Sequence, residues 1–278
     1  MSYKTILVQA DLSRHAAARI RIAANLAREH GAHLIGAAAT GVSRDLFPNG
    51  YHAKPGTLEA SYFEPLHAAA AQALERFGEI AGAAGVSFER RLLCDRLDDG
   101  MALLARFSDL VVLSQDDPAE ALASTPDRTP EYVVLTCARP VLLAPCAAAP
   151  EHVGRNILLA WDGSREASAA MRAALPLLQG AARVSVVCFC DSRGKPVCDA
   201  REQADLAAFL KRHAVQPAIL APATGIDGGR ALLALAARDG HDLVVMGCYG
   251  HSQFRELFLG GVTRTVLRDA TLPVLMAR

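Results

Sequence analysis

The chain has 278 residues, of which 51% are hydrophobic and 21% are charged, a balance that excludes a disordered polymer and favours well-filled cores. Lysine plus arginine and aspartate plus glutamate each number 29, so no overall positive field attracts nucleic acid or an anionic membrane. The length favours two domains over one.

Sequence signals for transport out of the cytoplasm are lacking. The stretch Met1–Val8 has neither the apolar length nor the small-residue cleavage site of a secretory signal. No apolar run approaches the roughly 20 residues that span a bilayer. Seven cysteines, an odd number, favour a reducing compartment over a disulfide framework. We therefore expect a cytoplasmic protein with no membrane or nucleic-acid partner.

The first half alternates short apolar runs with segments of helical spacing. The predicted strands are Lys4–Ala10, His33–Ala39, Val86–Leu93, Leu110–Ser114 and Val141–Leu143. The predicted helices are Ser13–Glu29, with Ser13 as its N-cap, Glu64–Ala84 and Asp98–Arg106.

The second half shows the same alternation. Its predicted strands are Asn156–Ala160, Arg183–Cys190, Gln216–Ala221, Leu243–Gly247 and Pro273–Ala277. Its predicted helices are Arg165–Leu178, Asp199–His213, Asp227–Asp239 and Gly261–Asp269.

Two matched segments indicate that the halves are repeats of one unit. Thr5–Arg14 aligns with Asn156–Arg165 at an offset of 151 positions. Asp109–Leu113 aligns with Asp242–Met246 at an offset of 133 positions. The difference of 18 predicts extra residues in the first half, which we place near Thr40–Ser61.

Apolar strands that alternate with helices predict a parallel sheet covered on both faces. Right-handed crossovers make such a sheet doubly wound. The short segment Ala144–His152, which contains two prolines, is typical of a linker. The predicted fold class is therefore α/β, with two tandem doubly wound parallel-sheet domains at residues 1–146 and 152–278.

A glycine-rich loop follows the fourth strand of the second half, with Gly247, Gly250, Gly260 and Gly261. We expect Gly247 and Gly250 to adopt positive φ and to expose backbone N–H groups. Gly260 and Gly261 stand where a helix is predicted to begin, and a helix N-terminus favours an anion. The loop is therefore predicted to bind a phosphate chain.

This spacing of Gly, two residues, Gly, nine residues and Gly resembles that of the ATP-binding members of the universal stress protein family. The resemblance covers both halves and includes Leu159–Ser164 and the final Pro-Val-Leu strand. It implies the universal stress protein fold, which is adenine nucleotide alpha hydrolase-like, in its tandem form. It further implies a stress-response protein with a regulatory or sensing role that binds ATP, ADP or AMP.

The resemblance also implies where the nucleotide lies. Asp162 is expected at the nucleoside end, Val187–Phe189 near the adenine, and the glycines along the ribose and phosphates. Gly261 stands where the family usually has a hydroxyl residue, which leaves the choice among ATP, ADP and AMP open. No metal is implied, although Mg²⁺ is compatible with ATP. The expected binding residues are Asp162, Val187, Met246, Gly247, Gly250, Gly260, Gly261 and Val262.

The first half is predicted to have a degenerate loop. At the offset of 133, the four glycines are replaced by Ser114, Asp117, Asp127 and Arg128. We expect these side chains to fill the cavity and the carboxylates to repel a polyphosphate. Prolines in the same loop remove backbone donors. The N-terminal domain is therefore predicted to bind no nucleotide, and Asp11 is expected to serve as a strand-end cap or turn residue.

Two further function classes stay open. The sequence has no Ser–His–Asp or Cys–His arrangement and no P-loop, so no catalytic residue is assigned, and a slow ATPase or related nucleotide-dependent enzyme is one alternative. A nucleotide-free interaction scaffold is the other. Cys188 and Cys190 match no common zinc spacing and are expected to be buried.

Universal stress proteins commonly dimerise through their last strands. The resemblance therefore implies an intramolecular pseudo-dimer through Val141–Leu143 and Val274–Met276, and leaves a homodimer of whole chains open.

Overall fold

The computed structural model describes residues 2–43, 45, 54, 56–117, 119–120, 128–147, 152–189, 198–222, 227–250 and 261–278. Two compact units, residues 2–139 and 140–278, account for the chain. The division falls before the predicted domain end at residue 146, because the strand Val141–Ala144 is paired within the C-terminal unit. Within the described residues, no helix has both the length and the apolar character that crossing a membrane requires.

The N-terminal unit has a four-stranded parallel sheet in the order β3-β2-β1-β4. Its strands are β1 (Thr5–Gln9), β2 (His33–Ala39), β3 (Phe88–Leu93) and β4 (Leu110–Ser114). Its helices are α1 (Ala16–His30), α2 (Leu58–Ala83), α3 (Leu97–Ala105) and α4 (Thr129–Thr136).

Helix starts in this unit differ from the sequence prediction in three places. Helix α1 begins at Ala16 with His15 at its N-cap, and Ser13 does not cap it; the Ser13 hydroxyl donates to Asp11 at 2.5 Å. Helix α2 begins at Leu58 rather than Glu64, because the Thr57 side chain caps it. Helix α4 was not predicted.

The C-terminal unit has a six-stranded sheet in the order β5-β10-β9-β6-β7-β8. Its strands are β5 (Val141–Ala144), β6 (Asn156–Ala160), β7 (Arg183–Val187), β8 (Pro217–Leu220), β9 (Leu243–Gly247) and β10 (Val274–Ala277). Its helices are α5 (Arg165–Ala173), α6 (Leu175–Gly180), α7 (Ala200–Arg212), α8 (Gly228–Arg238) and α9 (Val262–Asp269).

Strand β5 is antiparallel to β10, and the pairs β10–β9, β9–β6, β6–β7 and β7–β8 are parallel. Val274 lies opposite Leu143, and Met276 lies opposite Val141. These are the two strands through which a pseudo-dimer is predicted. The pseudo-dimer itself stays a prediction.

The predicted helix Arg165–Leu178 is in fact two helices, α5 and α6, separated at Ala174. Pro176 lies in the first turn of α6, where its missing N–H costs no helical hydrogen bond. A proline further inside one continuous helix would remove such a bond, so the chain breaks the helix before it.

The repeated aspartate before the fourth strand of each half has a structural role. Asp109 accepts hydrogen bonds from the backbone N–H groups of Lys4 and Thr5, at 2.7 and 3.0 Å. Asp242 accepts from the backbone of residues 154–156 at 3.0–3.1 Å. The two carboxylates therefore fix the entries to β1 and β6. The prediction of an α/β fold with parallel sheets is confirmed.

Candidate functional site

A cavity of about 380 Å³ opens at the carboxyl ends of β6, β7 and β9. The amino ends of α5, α8 and α9 also reach it. Carboxyl strand ends are where open α/β sheets usually bind ligands. We name it the C-terminal cavity, and its wall consists of Ala160, Trp161, Asp162, Ser164, Glu166, Ala167, Val187, Phe189, Gly228, Leu232, Met246, Gly247, Tyr249, Gly250, Gly261, Val262 and Thr263.

Most of the residues expected to bind nucleotide lie together on this wall. They are Asp162, Val187, Met246, Gly247, Gly250, Gly261 and Val262. Gly260 lies outside the described residues. Their role in binding stays a prediction.

A tight turn after β6 presents Asp162 to the cavity. Its Oδ1 accepts hydrogen bonds from the Ser164 backbone at 3.0 Å and from the Ser164 hydroxyl at 2.6 Å. The Ser164 hydroxyl in turn accepts from the Ala167 N–H at 3.1 Å and caps α5. Ser164 thus both orients Asp162 and caps the start of α5.

The glycines after β9 are required by close approach and not by backbone conformation. Neither Gly247 nor Gly250 has a φ in the left-handed region, so the expectation of positive φ is wrong. A Cβ at Gly247 would lie 2.5 Å from the Ala167 nitrogen, and one at Gly250 would lie 2.7 Å from Oε2 of Glu166. The residue with positive φ, at 55°, is Tyr249.

The three helix starts at the cavity are capped differently. Ser164 caps α5, and Asp227 caps α8 by accepting from the Arg230 N–H at 3.0 Å. The N-cap of α9 is Gly261, which has no side chain to offer. Val262 and Thr263, in its first turn, line the cavity. The positive end of α9 is therefore the one that a bound anion can cap.

Glu166 is a wall residue that the sequence analysis missed. It lies in the first turn of α5, only 2% of it is exposed, and its Oε1 accepts from Nε of Arg165. An acidic residue just after a serine N-cap is a sequence signal for a helix start. Its burial against Gly250 comes from tertiary packing, which that signal does not contain. Among the described wall residues, Asp162 and Glu166 are the only charged side chains.

Cysteines lie beside this cavity without forming a disulfide. Cys188 and Cys198 are buried free thiols in side-chain contact with each other. Burial raises the pKa of both thiols, which keeps them protonated. This fits the expected role of Cys188 as a small buried hydrophobe, while Cys190 lies outside the described residues.

The N-terminal unit has a cavity of about 530 Å³ at the corresponding place. Of the side chains expected to fill it, Ser114 and Asp117 pair along its wall instead. We name it the N-terminal cavity, and its wall consists of Gln9, Asp11, Ser13, His15, Arg19, Leu97, Ser114, Gln115, Asp116, Asp117, Glu120, Thr129 and Pro130.

A buried arginine neutralises one side of the N-terminal cavity. Arg19 is 1% exposed, and its guanidinium donates to the Gln9 carbonyl at 2.8 Å and to the Ser114 hydroxyl at 2.5 Å. Its Nη2 lies 2.9 Å from Asp11. Burial alone would raise the pKa of Asp11, but the charge of Arg19 and the hydrogen bonds from Ser13 and Arg19 outweigh it and lower that pKa. Asp11 is therefore an ion-pair partner as well as a turn residue.

A second group of paired charges surrounds Asp117, which stands at the position of Gly250. Asp117 accepts from Nε2 of His15 at 2.7 Å, from the Ala119 N–H at 2.9 Å and from Nε of Arg14 at 2.9 Å. Together these hydrogen bonds hold the pKa of Asp117 far below its usual range. Its carboxylate is therefore an internal partner of the two residues that precede α1. Asp127 lies outside the described residues.

The sequence model of the universal stress protein family matches residues 154–278. No curated protein sequence matches the chain. The family match covers the whole glycine-rich loop and the turn at Asp162.

Similar solved structures cover nearly the whole chain. A universal stress protein from Archaeoglobus fulgidus DSM 4304 is 15% identical with a TM-score of 0.74, over 99% of this chain and 96% of that one. A candidate universal stress protein from Pseudomonas aeruginosa UCBPP-PA14 is 15% identical with a TM-score of 0.59, over 99% and 93%. A functionally unknown protein from Pseudomonas aeruginosa PAO1 is 16% identical with a TM-score of 0.58, over 99% and 92%.

At these identities the solved structures establish the fold, and they extend it to the N-terminal unit that the family model does not cover. Residues 154–278 therefore match the universal stress protein family, and the whole chain has a fold similar to that of the universal stress proteins named above.

Proposed function

We propose that this protein binds one adenine nucleotide, ATP, ADP or AMP, in its C-terminal cavity and acts as a cytoplasmic stress-response protein with a regulatory or sensing role. The observation that carries the proposal is the start of α9, which lines a cavity while its N-cap, Gly261, offers no side chain. Backbone N–H groups at such a start favour a phosphate.

The remaining wall supports the nucleoside part of the ligand. Val187 and Met246 give an apolar surface against which an adenine ring packs. Asp162 is held by Ser164 and keeps Oδ2 for a ribose hydroxyl. Gly247 and Gly250 let the loop backbone pass close to α5, which leaves the space above them to the ligand.

The proposal assigns one nucleotide to each chain because the N-terminal cavity satisfies its own charges. Asp11 is paired with Arg19, and Asp117 with His15 and Arg14. A nucleotide entering there would have to break these pairs or place its phosphates beside Asp117.

Calorimetric titration of the whole chain with ATP, ADP and AMP, with and without Mg²⁺, tests the proposal. We expect saturation near one equivalent for at least one of these nucleotides. Two equivalents would contradict the assignment to one unit. No binding of any of the three would favour the nucleotide-free scaffold.

Hydrolysis of ATP is expected to be absent or slow. Asp162 accepts two hydrogen bonds from Ser164, and Glu166 is ion-paired with Arg165, so neither carboxylate is positioned as an evident base for water. Phosphate release under saturating ATP measures this directly. Sustained turnover of roughly 1 per second or faster would place the protein among enzymes.

A further inference from the structure

We propose that Glu166 makes the C-terminal cavity select a short phosphate chain, so that AMP binds more tightly than ATP when no divalent cation is present. The inference rests on the proposed nucleotide function. It assigns to that site a specificity-determining residue and a preferred ligand class.

The side chain of Glu166 follows the backbone of the glycine loop. A Cβ on Gly250 would lie 2.7 Å from its Oε2 and 3.2 Å from its Cδ. A Cβ on Gly247 would lie 2.9 Å from the Cβ of Glu166. The carboxylate therefore lies directly behind the two glycines along which the proposal places the ribose and phosphates.

The carboxylate is buried there, and its ion-pair partner lies outside the cavity. Glu166 is 2% exposed, whereas its ion-pair partner Arg165 is 84% exposed and does not line the cavity. No lysine, arginine or histidine occurs among the described wall residues. Among the described residues, the charges that line the cavity are therefore those of Glu166 and Asp162, together with the positive end of α9.

One helix start can balance one phosphate group but not three. A helix N-terminus is equivalent to roughly half a positive charge. The first phosphate of a nucleotide can take that position. Each further phosphate adds negative charge to a wall whose described side chains include two carboxylates and no cation.

The N-terminal unit supports this interpretation of the position. At the offset of 151 the counterpart of Glu166 is His15, and at the offset of 133 the counterpart of Gly250 is Asp117. A carboxylate occupies the loop position where the residue before α1 is a histidine, 2.7 Å away. Where α5 offers a carboxylate, the loop position is a glycine. A second anion beside Glu166 is thus the arrangement that both units avoid.

The test is a titration of the whole chain with AMP and ATP in the presence of a metal chelator. We expect the parent protein to bind AMP about tenfold more tightly than ATP. Glu166→Gln should tighten ATP binding roughly tenfold and change AMP binding less. Asp205→Asn, which removes an exposed carboxylate of α7 in the same unit, should keep the parent ratio.

Each result decides the inference. ATP binding as tight as AMP binding in the parent protein overturns it, and so does a Glu166→Gln variant with the parent ratio. If a thermal melt shows that Glu166→Gln does not fold, the parent ratio decides alone. If neither nucleotide binds to the folded parent protein, even with Mg²⁺ present, the proposed function fails and this inference fails with it.

Discussion

The two cavities occupy the same place in their units and balance charge by different means. In the N-terminal cavity, Arg19 bonds to Ser114 and Asp117 bonds to His15. In the C-terminal unit, Ala170 and Gly247 stand at the positions of Arg19 and Ser114, and Glu166 and Gly250 at those of His15 and Asp117. Residues that contact each other in the N-terminal unit are therefore replaced together in the C-terminal unit.

Both units have the same turn, which follows β1 in one and β6 in the other. Asp11 and Asp162 each accept from the N–H and hydroxyl of the serine two residues later, with the N–H bond at 3.0 Å in both. The turn is a local structure and is compatible with either cavity. We infer that the paired exchanges, and not the turn, determine whether a cavity holds internal ion pairs or has room for a ligand. Substitutions in the N-terminal cavity should change stability, and those in the C-terminal cavity should change binding.

The largest expected effect is on stability, from Arg19→Ala. The substitution removes a buried guanidinium and leaves Asp11 without its ion-pair partner. Breaking a buried pair in this way costs about 3–5 kcal/mol. Chemical denaturation measures the loss, and Arg21→Ala, an exposed position of α1, serves as the control. A loss below about 1 kcal/mol for Arg19→Ala would mean that the pair is not what holds the N-terminal cavity together.

The next effect is on binding, from Gly250→Asp, which gives the C-terminal cavity the loop residue of the N-terminal one. The new side chain meets both Glu166, 2.7 Å from the position of its Cβ, and the phosphates of the ligand. A carboxylate about 4 Å from a phosphate costs on the order of 1–4 kcal/mol, so calorimetry should find several-fold to nearly thousandfold weaker binding.

Gly250→Ala adds bulk without charge and should weaken binding less. A thermal melt checks that each variant is folded. Parent-like nucleotide affinity in both folded variants would mean that the glycine loop is only a turn, and the interaction scaffold would then replace the proposed function.

The sequence alone predicted the features that depend on neighbouring residues along the chain. Apolar runs such as Leu243–Met246 predicted strands of a parallel sheet, and the matched offsets predicted the repeat. The break before Pro176 follows the rule for proline in helices, yet the alanine- and leucine-rich spacing around it favoured a single helix. Helix α4 was missed because it is only eight residues long and follows a proline-rich segment.

The features that the sequence could not predict depend on close contact between segments that are distant along the chain. Gly247 must be glycine because the Ala167 nitrogen lies 2.5 Å from where its Cβ would be. The sequence analysis explains this glycine by a positive φ, which is a local property. The structure instead explains it by close packing against α5. Glu166 was missed for the same reason, since nothing near it in sequence shows that it packs behind Gly250.

A smaller effect is expected from adding Glu166→His to Gly250→Asp. The double variant transfers the His15–Asp117 pair to the C-terminal unit and removes the like-charge contact of the single variant. We expect the melting temperature to rise relative to Gly250→Asp, by an amount equivalent to about 1 kcal/mol, while nucleotide affinity stays low. Recovery of binding together with stability would show that the Gly250→Asp substitution had acted only by disturbing the fold.

The smallest effect is the pH dependence of stability that comes from His241, at the opposite end of β9 from the C-terminal cavity. His241, which precedes β9, is 7% exposed, and neither ring nitrogen has a hydrogen-bond partner within the described structure. Its counterpart at the offset of 133 is Ser108, which does not titrate in this range. Burial lowers the pKa of His241 and nearby Arg183 lowers it further, against the opposing charges of Asp239 and Asp242.

The sign of the pH effect follows from that lowered pKa. Below pH of about 6.5 the unfolded chain binds a proton at His241 that the folded chain resists, so the free energy of unfolding falls as the pH drops. The parent protein should therefore lose stability between pH 7.5 and pH 5.5.

His241→Ser, which introduces the residue of the N-terminal unit, should flatten this pH dependence. The comparison uses the slope of stability against pH, because the substitution also removes buried volume and lowers stability at every pH. His67→Ser, at an exposed position of α2, should keep the parent slope. An unchanged slope in His241→Ser would assign the acid sensitivity to other groups, and the C-terminal unit would then differ from its repeat at the cavity but not in its response to pH.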